Sequence, residues 1–173
     1  VMYILNKPKG YVCTSKDPHN RLKVIDLINT NIRLFTVGRL DRDTTGIILL
    51  TNDGDISNKL THPRYNKEKK YYVKTKGRIE SQFLNKIKDG YRLEDGVKVK
   101  ADIKLISHSG NIFEWDISLT EGKNREIKRI FYNFNSQVSL IHRYSFCGIT
   151  LNNLKIGKYR KMPIKEIKNK LLK

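Results

Sequence analysis

The stretch GRLDRDTTGIILLTNDG, residues 38–54, decides the fold. Residues 46–51 are short, apolar and β-branched, with turn residues on both sides, so they read as a buried strand and not as a helix. Arg39, Leu40 and Asp41 therefore lie in a loop delivered to one end of a core strand, with Arg42 and Asp43 beside them. A loop carried on a rigid strand is a common place for chemistry. Taken alone, Asp41 reads first as a turn former or helix cap, because Asp and Thr in such loops satisfy nearby backbone donors.

Upstream, residues 2–6 read as a strand, Lys7-Pro8-Lys9-Gly10 as a turn and residues 11–14 as a returning strand, which predicts a hairpin-like opening. Val24, Leu27 and Ile28 recur at helical spacing, and residues 34–37 form another apolar run. Downstream, Asn52-Asp53-Gly54-Asp55 offers capping acids to a short helix ending near His62-Pro63, so Asp53 and Asp55 are expected to cap. Residues 69–75, KKYYVKT, alternate so that Tyr71 and Val73 share one face. Tyr71 reads either as a core ring or as a platform for a nucleobase. A helix is expected over residues 79–88, with Phe83, Leu84 and Ile87 on one side. Residues 97–106 and 112–119 alternate around His108-Ser109-Gly110-Asn111, the pattern of an antiparallel hairpin.

The second informative stretch is EGKNREIKRIFYNF, residues 121–134. Gly122 and Asn124 can open a helix in which Ile127, Ile130, Phe131 and Phe134 form one apolar face. Arg125, Lys128 and Arg129 gather toward its start, where free N–H groups and the helix dipole favour an anion; the same residues also suit a solvated flank. Residues 138–146 and 157–160 read as strands and turns closing the sheet, and residues 163–172 as a basic helix with Pro163 at its start.

The 173 residues fit one domain, or two small lobes sharing a sheet. Thirty-five Lys and Arg against 17 Asp and Glu leave a net charge of +18, which points to a polyanion partner. The excess is +3 over residues 1–60, +7 over 61–110 and +8 over 111–173, so the later part supplies most of the field. Abundant Lys, Asn and Ile would also follow from a low-GC genome, but the shortage of acids would not. No stretch approaches the roughly 20 apolar residues of a membrane span. Cys13 and Cys147 form no Cys-x-x-Cys pair, and the four His lack metal-ligand spacing, so neither a disulfide framework nor a metal site is expected. Val precedes Met2 at the start, which reads as a piece of a longer protein.

With these segments in place the chain resembles the pseudouridine synthases that modify ribosomal RNA, the family of the small-subunit uridine enzyme and its large-subunit relatives. Four segments carry the resemblance in order: Asn6-Lys7-Pro8-x-Gly10, the stretch 38–54, Thr61-His62-Pro63-Arg64 followed by Lys69-Lys70-Tyr71, and EGKNREIKRIF. They spread over most of the chain. The resemblance implies an α+β catalytic domain over residues 1–173, with a mixed, mostly antiparallel sheet, flanking helices and a basic central cleft. The small RNA-binding domain that often precedes such a core is not in this sequence.

The resemblance further implies that Asp41 is the catalytic acid, that Arg39 helps to evict or replace the flipped nucleotide, and that Tyr71 lies against the target base. It makes Lys128 the basic partner of the carboxylate, with Ile127 packing nearby and Arg129 as the alternative for that role. Glu126 stands where Gln is common in the family, and Lys128 where Arg is frequent. The implied partner is RNA, the protein a monomer, and no cofactor or metal is called for, because the isomerisation needs neither redox change nor group donor. The expected location is the cytoplasm, or an organelle with its own ribosomes should a targeting segment precede this chain. Two other readings stand beside it: a catalytically silent RNA-binding module of the same fold, and a metal-dependent nuclease built on Asp41 and Asp43.

Overall fold

A computed structural model describes residues 1–15, 17–163 and 166–167. Among these, the strands are β1 (Met2–Lys7), β2 (Phe35–Val37), β3 (Thr45–Thr51), β4 (Lys69–Lys76), β5 (Tyr91–Arg92), β6 (Lys98–Val99), β7 (Asp102–Ser109), β8 (Ile112–Leu119), β9 (Gln137–Phe146), β10 (Ile149–Thr150) and β11 (Tyr159–Lys161). The α-helices are α1 (Gly54–Thr61), α2 (Ser81–Asp89) and α3 (Glu126–Asn133). The fold is α+β with a mostly antiparallel sheet, as expected. The chain divides into two units, residues 1–67 with 143–173, and residues 68–142.

The first unit is built on β3, all seven residues of which are buried. A strand covered on both faces should be continuously apolar, and Gly-Ile-Ile-Leu-Leu is. β1 pairs antiparallel with β3 along its whole length, from Met2 opposite Thr51 to Lys7 opposite Gly46. β11 pairs with the other edge of β1, and β2 with the far end of β3. One face of this sheet closes over Met2, Ile4, Ile47, Leu49, Leu60, Phe146 and Met162. α1 starts where the sequence indicates: the Asp53 carboxylate accepts from the N–H groups of Asp55 and Ile56, both at 3.0 Å. Asp55 lies in the first turn, where its charge suits the dipole, and it is not the cap.

Two expectations for this unit are corrected. Residues 11–14 do not return against β1, whose two edges are already taken by β3 and β11; Val12 instead forms an isolated parallel bridge with Lys23. The helical spacing of Val24, Leu27 and Ile28 becomes only a 3₁₀ turn, Val24–Leu27, with its one buried anchor at Val24. The basic helix expected over residues 163–172 lies largely outside the described residues.

In the second unit β4, β8 and β7 run antiparallel, with β4 and β8 in register from Lys69 opposite Leu119 to Lys76 opposite Ile112. The period-two pattern sends Tyr71, Val73 and Thr75 inward. Trp115 is the centre of the core: its indole N–H donates to Thr75 Oγ1 at 2.9 Å, and its ring meets Phe131 of α3 at 5.6 Å between centroids. The strand expected over residues 97–106 is broken at Lys100 and Ala101. Lys98 and Val99 pair with β5 in a separate two-stranded sheet, and only from Asp102 does the chain join β8.

Candidate active-site loop

In the first unit the Asp41 loop is held from beneath by a lysine. Lys7 is the last residue of β1 and is fully buried, which an ammonium group tolerates only when its donors are engaged. Its Nζ donates to the carbonyls of Pro8 (3.0 Å), Arg42 (3.1 Å) and Thr44 (2.8 Å). Two further bonds close the turn, Gly10 N–H to Arg42 O at 2.8 Å and Thr44 N–H to Asp41 O at 3.1 Å. Burial pulls the Lys7 ammonium below its ordinary pKa, while the fields of Cys13, Asp43 and Asp41 push the other way. The same carboxylates that the loop presents thus help to keep Lys7 charged.

Behind Leu40 lies the Cys13 thiol, which accepts the Leu40 N–H at 3.4 Å. Burial pushes this thiol up, opposed by the Leu40 N–H and by the charges of Lys7, Arg143 and Arg39. Neither cysteine is in a disulfide. Arg143 is 2% exposed; its Nε donates to the Ile47 carbonyl at 2.9 Å and its guanidinium stands 4.9 Å from the Phe146 ring centroid, while Nη2 has no partner. The Arg143 backbone passes so near Gly46 that a Cβ there would stand 2.6 Å from its nitrogen and 2.8 Å from its carbonyl carbon. Gly46 also holds φ of +111°, so two constraints require glycine where the loop enters β3.

Of the residues singled out in the sequence, this unit carries two. Arg39 is exposed, Leu40 buried, and Asp41 half-buried on the same loop. Arg39, Arg42 and Asp43 are thus exposed and Asp41 half-buried on a loop anchored by the buried Leu40. No group of three or more His, Cys, Asp or Glu side chains among the described residues is placed to hold a metal ion.

The second unit carries the others. Tyr71 lies on β4 opposite Ile117 and is 8% exposed. Ile127 is buried on α3, and Lys128 and Arg129 are half-buried beside it. Arg129 Nε is engaged by Asp95 at 2.8 Å, an ion pair that helps to hold the Asp95 carboxyl below its usual range, after the larger effect of the Val97 N–H. Helix α3 begins at Glu126, later than Gly122 and Asn124 suggested. The three residues before it form a turn, and Arg125 takes a left-handed φ of +51°. The Glu126 carboxylate reaches back to the Lys123 N–H at 3.0 Å while the Glu126 N–H bonds to the Lys123 carbonyl at 3.2 Å, two bonds that close the turn ahead of the helix. Its other oxygen, Oε1, is buried without a partner, and burial raises the pKa of this acid.

Sequence reasoning missed Lys7 and Arg143 as parts of the site. Lys7 stood inside a segment read as a turn. For Arg143 a signal existed, because Ile141, Arg143 and Ser145 alternate along β9 and all three are buried. A cation at an inward position of a strand is a marker of a built polar site.

The chain also matches known proteins in sequence and in fold. The family profile described as RNA pseudouridylate synthase matches residues 1–133. The chain is 37% identical over 171 residues to the ribosomal large subunit pseudouridine synthase B of Bacillus subtilis, covering 97% of this chain and 70% of that protein. It is 35% identical over 168 residues to the protein of the same name from Pseudomonas aeruginosa, covering 95% of this chain and 44% of the relative. The chain thus spans less than half the length of some relatives it matches. Among solved structures, a pseudouridylate synthase crystal structure superposes with a TM-score of 0.84 at 29% identity, over 98% of this chain and 73% of that one. An H/ACA ribonucleoprotein bound to a substrate RNA superposes at 0.60 and 15% identity, over 88% of this chain and 51% of that one, a likeness of fold alone.

Proposed function

Since the chain belongs to the family of RNA pseudouridine synthases, we propose that it converts a uridine of ribosomal RNA to pseudouridine, with Asp41 as the catalytic carboxylate. The observation that carries this reading is the loop itself, in which an acid is presented on a turn stapled to the end of β1 by the buried Lys7. Positioning is most of what this reaction asks of a protein. The bond between N1 of the base and the anomeric carbon breaks, a bond from C5 to the same carbon forms, and the C5 proton is lost while N1 gains one. Atoms balance without donor, oxidant or metal.

Asp41 serves this sequence either as nucleophile at the anomeric carbon or as base at its neighbour, and in both cases it must be ionised. The family resemblance assigns Lys128 to the charge of that carboxylate, Tyr71 to the face of the target base, and Arg39 to the place the flipped nucleotide leaves. A paired base must be extruded first, at a cost of a few kcal/mol that stacking and polar contacts offset.

The test is tritium release from ribosomal RNA labelled at C5 of uridine. Asp41→Asn keeps the shape of the loop and removes the nucleophile or base, so release should stop while RNA binding and thermal stability stay close to those of the parent protein. Undiminished release by Asp41→Asn would end this assignment.

A further inference from the structure

Thr61, which ends α1, and the five residues that follow it are all exposed, and they include an aromatic ring with no packing reason to be there. Tyr65 is 36% exposed. The Arg64 guanidinium lies over its ring, 4.6 Å from the centroid, and Nη2 donates to the Tyr65 hydroxyl at 2.5 Å. His62 meets the same ring edge-on at 6.3 Å, and its Nδ1 accepts the Arg64 N–H at 3.3 Å, which leaves Nε2 as the donor of the neutral imidazole. The backbone is clamped into a single 3₁₀ turn by Tyr65 N–H to His62 O and Asn66 N–H to Pro63 O, with Asn66 in the left-handed region. Arg64 makes no ion pair with a carboxylate among the described residues.

This knuckle adjoins the candidate active-site loop in the same unit. A Cβ placed on Gly38, the first residue of the stretch that leads to Asp41, would stand 3.6 Å from Thr61 Cγ2. Stacking a cation on a ring in open solvent immobilises a long side chain for little burial, so the arrangement contributes little to folding. It does present a flat, pre-ordered cationic surface. Guanidinium and phenol planes stacked in this way take a nucleobase, and the remaining N–H groups of Arg64 and His62 can donate to a phosphate.

We propose that His62, Arg64 and Tyr65 form a stacking platform for an unpaired nucleotide of the substrate RNA beside the target uridine, with the Tyr65 ring and the face of the Arg64 guanidinium holding the base, and the N–H groups of Arg64 and His62 the adjoining phosphate. This rests on the reading of the chain as an RNA-modifying enzyme and adds a subsite to it. The ligand class is single-stranded RNA, recognised by its π-face and charge and not by its sequence.

The test uses the full chain and two fluorescein-labelled probes of equal length and charge: a short oligouridine and its counterpart lacking the bases. Tyr65→Ala should weaken oligouridine binding about 5- to 150-fold, the range for loss of one base–aromatic stack. Its preference for the probe with bases should fall by the same factor, what remains being the share of the target-base pocket. Tyr65→Phe should keep the parental preference, and Arg64→Met should lower the salt slope by about 0.7 unit, as loss of one single-strand phosphate contact does. A Tyr65→Ala protein with an undiminished preference for bases overturns the platform. Tritium release separates this from the proposed activity: a parent protein that releases tritium while Tyr65→Ala binds normally removes the platform alone. Binding that depends on Tyr65 in a protein releasing no tritium removes the activity and leaves the platform.

Discussion

Replacing Lys7 by Met tests how the Asp41 loop is held. Met fills most of the space of the lysine stem and removes three donors at once, those to Pro8 O, Arg42 O and Thr44 O. A hydrogen bond from a charged donor contributes about 1.5–3 kcal/mol, and a buried carbonyl left bare costs about 1–3 kcal/mol. The bond to Thr44 O is the fully buried one, whereas the other two acceptors are part-buried and can turn to water. Against this loss, the mutant no longer buries an ammonium, which offsets several kcal/mol. The net destabilisation should be about 2 kcal/mol, read as a lower urea midpoint with an unchanged slope. The effect on chemistry should be larger in proportion. Of the ties described above, only the Gly10 N–H to Arg42 O bond, the Thr44 N–H to Asp41 O bond and the Cys13 thiol would remain on the loop. A shift of about 1 Å at Asp41 would lower the single-turnover rate by about 10²-fold. A Lys7→Met protein with parental urea midpoint and rate would refute this account of the loop.

Gly46→Ala should destabilise by at least about 3 kcal/mol, since a Cβ at φ of +111° would collide with the Arg143 backbone; a soluble, parent-like urea curve would contradict the packing of these two residues. In the second unit, bonds from Lys74, Ser107 and Tyr72 hold the Glu114 carboxyl at about 2. Against an unfolded value of roughly 4.3, the stabilisation from this acid is complete above the unfolded value and is lost as pH falls through about 2. Parent and Glu114→Gln should therefore differ in stability at pH 6 and converge on acidification toward pH 2 in paired melts; a gap that is independent of pH would exclude the Lys74 pair as its source. Lys128→Met should strongly lower the single-turnover rate, move the acidic limb of the pH profile upward and leave the salt slope nearly unchanged, while Lys128→Arg retains activity. Weaker binding with a normal rate at saturation would place Lys128 on the phosphate backbone and leave the carboxylate to another cation.

Where local forces dominate, the sequence by itself determined the outcome. The continuous apolar run of β3, the inward alternation of Tyr71 and Val73, the Asp53 cap and the apolar face of α3 all depend on neighbours within a few residues. Period and turn chemistry are enough to read them. The loop that carries Asp41 was legible for the same reason, being the polar run just before a buried strand. What the tertiary structure alone decided are the partners across long separations. Residues 11–14 have strand chemistry but no free edge, because β11 arrives from more than 150 residues away to occupy it. Lys7 looks like a surface turn residue until Arg42 and Thr44, 35 and 37 positions on, fold their carbonyls over its ammonium. Gly46 reads as an ordinary strand glycine until the Arg143 backbone is laid against it. No local propensity encodes such contacts: a buried ammonium or a missing Cβ becomes favourable only when a distant segment supplies the acceptor or takes the space.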